Sequence, residues 1–167
     1  MTTKPTALSL ALLTLASCTS YPQPSTSEPH ATLVFDRSAG RGGNIISQGR
    51  LLTFFIAEDA QCSKRTKVAY FGTGDFRSDQ RNVRVPSDVP VTVLAAFRIN
   101  HASGIGVNAV RTGEEDYSSQ ARFIPKEGAI YKVALNQNYP GDYNINVRTD
   151  GSDEVPSDLE VGKSIWR

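Results

Sequence analysis

The chain predicts an all-β fold, an antiparallel β-sandwich of immunoglobulin-like or transthyretin-like type with seven to nine strands. Three observations carry that expectation. From residue 31 onward hydrophobic residues recur with period two, turn-forming residues interrupt them about every ten positions, and no window of about eleven residues sustains an i, i+3, i+4, i+7 stripe without a breaker. A small closed barrel is the alternative arrangement, and no internal repeat is visible. At 167 residues, 39% hydrophobic and 21% charged, the chain is large enough to bury one core.

The strands are expected at residues 32–35, 51–57, 67–71, 82–85, 91–99, 107–111, 121–124, 130–135 and 143–147, runs enriched in β-branched or aromatic residues. The clearest is 91–99, where Val91, Val93, Ala95, Phe97 and Ile99 share one face. Residues 51–56 (LLTFFI) are apolar on both faces, which suits a central strand. Tyr143, Ile145 and Val147 alternate with Asn144, Asn146 and Arg148, as in a strand with one wet face. Glycines and prolines at 40–43, 72–74, 86–90, 103–104, 125–128, 140–141 and 151 mark the connections. In residues 123–131 (FIPKEGAIY), a type I turn at Lys126-Glu127 with Gly128 left-handed predicts a three-residue hairpin loop, with Phe123 across from Tyr131 on one face.

The amino-terminal segment differs. Lys4 supplies its only charge, residues 7–15 (ALSLALLTL) form an apolar run of signal-peptide length, and small residues follow. A membrane-spanning helix needs about twenty apolar residues, so this run is too short to be one. Leu15-Ala16-Ser17-Cys18 resembles the lipobox of bacterial lipoproteins. The resemblance implies cleavage before Cys18, a diacylglyceryl group on its thiol and a further acyl chain on the new amino terminus. Acyl burial contributes about 0.8 kcal/mol per CH₂, so such an anchor is effectively permanent. Thr19 stands where Asp would mark inner-membrane retention, which points to a periplasm-facing place on the outer membrane. The expected organisation is a signal peptide at 1–17, a lipidated Cys18 with a Pro/Ser-rich tether at 18–30, a sandwich at 31–155 and a tail at 156–167. Trp166 in that tail is expected to fold back onto the domain, the alternative being a contact with another protein.

The spacing F-x-P-x-x-G-x-x-Y at 123–131 is similar to one that recurs in small envelope lipoproteins of unassigned function. Residues 91–98 (VTVLAAFR) are similar to a strand of the type VI secretion lipoprotein, although there the chain ends soon afterward and here about seventy residues follow.

Eighteen basic residues against seventeen acidic leave a net charge of +1 with no strong concentration of one sign, which disfavours nucleic acid. With Cys18 acylated, Cys62 is the one thiol of the mature chain, so no intradomain disulfide is expected; it reads as a partly buried, inert thiol. The one conceivable thiol dyad is Cys62 with His101. No nucleophile elbow, zinc-binding helix, phosphate loop or dinucleotide fingerprint is present, and no cofactor or metal is expected. Two acidic clusters, 114–116 and 150–154, read as solvated turns, the second being the one conceivable Ca²⁺ loop. Arg37, Arg41 and Arg50 flank a glycine-rich loop and are the candidate binding residues, for an anionic group such as a lipid phosphate or glycan. The functional expectation is a non-catalytic binding or assembly module for another envelope component. The alternatives are an accessory lipoprotein of a secretion system and a periplasmic hydrolase or thiol enzyme.

Overall fold

Alternation along each strand decides which side chains meet in the interior. In a computed structural model of the protein, which describes residues 21–36, 48–59, 62–72, 80–103, 110–139 and 142–163, that alternation builds nine strands. They are β1 (His30–Asp36), β2 (Gln48–Ala57), β3 (Arg65–Phe71), β4 (Gln80–Pro86), β5 (Val91–Ser103), β6 (Val110–Phe123), β7 (Ile130–Tyr139), β8 (Asp142–Thr149) and β9 (Glu160–Lys163). One sheet has the order β4-β1-β7-β8 and the other β3-β2-β5-β6-β9. The two pack face to face, so the protein is an all-β sandwich.

Every described pairing is antiparallel except that of β1 with β7. In an immunoglobulin domain the first, second, fourth and fifth strands share one sheet. Here β1 and β2 fall in opposite sheets, so the immunoglobulin order is not adopted.

The interior follows the period-two pattern. Val91, Val93, Ala95, Phe97 and Ile99 are all buried, as are Leu33, Phe35, Leu52, Phe54 and Phe123. Phe35 meets Phe54 across the sheets at a centroid distance of 5.0 Å. A buried side chain of this size contributes about 1.5–3 kcal/mol. β2 lies between β3 and β5, the central place its two apolar faces predicted. On the outward face Leu94 is also buried, paired in register with Phe55 and Gln120.

Four expectations are corrected. The hairpin at 123–131 does not form: β6 and β7 belong to different sheets, and the segment crosses between them. Phe123 and Tyr131 do meet, with ring centroids 5.1 Å apart, but from opposing sheets. The crossing is held by other parts of the chain. Asp88 N–H donates to the Pro125 carbonyl at 2.8 Å, Gly128 N–H to the His30 carbonyl at 2.8 Å, and Lys126 N–H to the Tyr131 hydroxyl at 3.0 Å. The last bond is the device of a tyrosine corner, in which a phenol ties back to backbone a few residues upstream. Gly128 has φ +72°, the left-handed conformation foreseen for it.

The acidic residues 114–116 are not a turn but lie within β6, which absorbs both expected runs 107–111 and 121–124 as far as they are described. Asp116 is stabilised there by Arg98 opposite it on β5, whose Nε and Nη2 donate to the two carboxylate oxygens at 2.7 and 3.0 Å. Residues 156–167 are not merely a tail, since β9 pairs with Ser119 to Arg122 of β6. Residues 21–30 are not a free tether either. Tyr21 packs against the core, Gln23 Oε1 accepts the Arg84 N–H at 2.9 Å, and Glu28 closes a turn by accepting the Ser25 N–H at 2.6 Å.

Candidate docking groove

The sandwich has two lateral seams where one sheet's edge meets the other's. At the β3–β4 side, where Arg81 lies over the Phe71 ring at 5.8 Å, Tyr21 packs against the core; burial first and the Glu58 carboxylate second raise its phenol above the ordinary tyrosine range. At the β6–β8 seam the sheets meet directly. Ser119 Oγ, fully buried, accepts the Ile145 N–H at 3.0 Å and donates to the Gly162 carbonyl at 3.4 Å. Tyr143 packs in tilted geometry against Phe97 at 4.8 Å and Tyr117 at 4.6 Å.

Beyond that closure β9, only four residues long, leaves part of the β8 edge uncovered. The result is an open groove of about 420 Å³ lined by Asn136, Asn144, Ile145, Asn146, Arg148, Val155, Leu159 and Val161. One wall offers amide donors and acceptors from β7 and β8, where Asn136 stands opposite Asn144. The other is apolar, with Val155 51% and Val161 44% exposed. A smaller hollow of about 240 Å³ lies on the far side of β9, between Pro90, Arg122, Phe123, Ile124, Asp158 and Glu160. Exposed apolar side chains collected at one edge mark an interaction surface more often than scattered ones do.

The loop between β8 and β9 is fixed by ion pairs. Lys132 Nζ lies 2.6 Å from Asp150 Oδ1, and Arg148 Nη1 donates to the Asp153 carbonyl at 2.9 Å and to its carboxylate at 3.2 Å. The hydrogen bond from Lys132 holds the Asp150 carboxyl below the usual aspartate range. Gly151 and Asp153 both adopt positive φ, and Ile124 N–H donates to the Asp158 carboxylate at 2.6 Å. Two of the three carboxylates of the conceivable Ca²⁺ loop, Asp150 and Asp153, therefore face separate cations. Among the described residues no group of three or more His, Cys, Asp or Glu is placed to hold a metal ion.

Of the residues singled out from sequence, Cys18, Arg37 and Arg41 lie outside the described residues, as does Trp166. Arg50 is placed on β2 opposite Ile99 of β5. The Cys62–His101 dyad does not assemble. His101 pairs with Gln48 at the start of β2, while Cys62 follows Ala57 at its end, and the length of β2 between them is about 30 Å. Cys62 is buried at φ 56° in a tight loop, where Asp59 accepts the Ser63 N–H at 2.8 Å and the Lys64 N–H at 3.0 Å. Burial, then Asp59, push its thiol up, with Arg65 opposing. The groove itself was missed from sequence. The available signal was asparagine, unfavourable in strands, recurring at alternate positions 136, 138, 144 and 146.

The fold and groove thus define a β-sandwich with an amide-and-apolar hollow along one edge. Comparison of the chain with protein-family models, with curated proteins and with solved structures finds no significant match in any of the three.

Proposed function

We propose that the protein is a lipid-anchored, non-catalytic envelope module, held through Cys18 at the periplasmic face of the outer membrane, that binds another envelope component in the groove between β8 and β9. The carrying observation is placement: the groove lies along the edge opposite the β3–β4 seam, where the chain coming from Cys18 docks. A partner at the groove would meet no obstruction from the anchor. The lipobox-like Leu15-Ala16-Ser17-Cys18 supports the anchoring, and the exposed Val155 and Val161 support a protein partner.

Two measurements test this reading. Mass spectrometry of the membrane-extracted protein should find the mature chain starting at an acylated Cys18. A photocrosslinking residue at Asn146 should give a discrete adduct in the native envelope, lost in a Val155→Asp/Val161→Asp variant. Adducts arising only from positions on β4 would overturn the groove as the docking site. An accessory role in a secretion system is the second reading, favoured by VTVLAAFR forming the central strand β5 of a sandwich without immunoglobulin order. It predicts loss of secretion on deletion.

A further inference from the structure

We infer that the basic edge formed by β3 and β4 is the face the domain lays on an anionic phospholipid headgroup layer. This rests on the acylation reading above and adds to it which side of the sandwich the lipid meets.

The first argument is chain length. If the acylated residue is Cys18, only Thr19 and Ser20 separate it from Tyr21, which is already packed against the core beside Glu58. Three residue steps span at most about 11 Å. An anchor that short cannot let the domain rotate freely, so the seam at which Tyr21 docks is brought to the bilayer surface.

The second argument is charge. Arg65 and Lys67 on β3 and Arg81 and Arg84 on β4 are the only ionisable acid–base charges on those strands, and neither strand carries an Asp or Glu. Three of these cations are steadied by aromatic rings: Arg65 over Phe55 at 5.6 Å, Lys67 over Tyr70 at 5.9 Å and Arg81 over Phe71 at 5.8 Å. On the opposite edge residues 150–160 hold five carboxylates and no cation of their own, Asp150 and Asp153 being paired with Lys132 and Arg148 of the adjoining strands. A net charge near zero thus conceals a basic cluster on β3 and β4, on the side where Tyr21 packs. Attraction to anionic lipid falls off within a Debye length, about 8 Å at physiological ionic strength, which is the scale of the tether's reach. Gln23 caps the outer N–H of Arg84, so the segment that follows the anchor is tied to β4 itself.

The test uses the acylated mature protein in nanodiscs of phosphatidylcholine, with and without phosphatidylglycerol, doped with a lipid carrying a gadolinium chelate. Amide signals of β3 and β4 should be lost in the discs containing phosphatidylglycerol while those of β9 survive. A Lys67→Gln/Arg84→Gln variant, whose intact β5 signals show that it is folded, should weaken that contrast. Equal losses on β4 and β9 would overturn the proposal. So would an identical pattern in the neutral discs, because the short tether alone would then set the orientation with no contribution from anionic lipid. Failure of acylation would show separately, as protein that never enters the discs.

Discussion

The two lateral seams of the sandwich solve the same problem in different ways. At β6–β8 a buried hydroxyl and a cluster of aromatic rings join the sheets; at β3–β4 the contact is sparser, with Arg81 lying over the Phe71 ring, and a segment preceding the first strand adds Tyr21 to the core. The lesson is that one seam belongs to the fold and the other to the segment that precedes it. Damage to the first should unfold the domain, whereas damage to the second should loosen an edge.

Four measurements sharpen or break this contrast. Tyr143→Ala removes a ring that contacts both Phe97 and Tyr117, and urea unfolding should show a loss of about 3–5 kcal/mol. Ser119→Ala strands the buried Ile145 N–H and should cost about 1–3 kcal/mol. Tyr21→Ala removes a half-buried ring from the other seam, and the expected loss is about 1 kcal/mol, with faster amide exchange confined to β4 and its neighbours. A loss as large as that of Tyr143→Ala would show that the two seams are equivalent. The smallest effect is at Asp150, whose lowered pKa means that its pairing with Lys132 stabilises the fold above the ordinary aspartate range and fades as pH falls through the lowered value. Asp150→Asn should therefore lower the stability slightly at neutral pH, with the difference from the native chain vanishing below about pH 4 and the acid limb of the profile flattened.

Much of the fold was legible because one-residue alternation survives without tertiary context. Residues 91–99 and 143–147 told their inward faces directly, and the two-sided apolarity of 51–56 gave β2 its central place. What failed was non-local. The turn chemistry of Lys126-Glu127-Gly128 is the same whether the chain returns along its own sheet or crosses to the other, and only pairing of Phe123 with Val91 and of Tyr131 with Leu33 and Thr149 decides between them. β9 escaped notice because four residues including Gly162 carry no periodic signal, and the partner edge of β6 makes the strand. Tyr21 was hidden in a proline-rich stretch whose composition suggests a linker. The groove arises from an edge strand and a loop separated from Asn136 by some twenty residues or more, and no local pattern brings them together.

The parallel pairing of β1 with β7 sets the order in which this chain can complete itself. Thr32 to Phe35 must wait for Ile130 to Val133, about a hundred residues later, before β1 has a neighbour on both sides. Such distant closure is slow to form and leaves the β7-facing edge of β1 unpaired in any shorter nascent chain. A polypeptide stopped after β6 would therefore be sticky rather than half-folded, and a chaperone that shields emerging strands would find its work there.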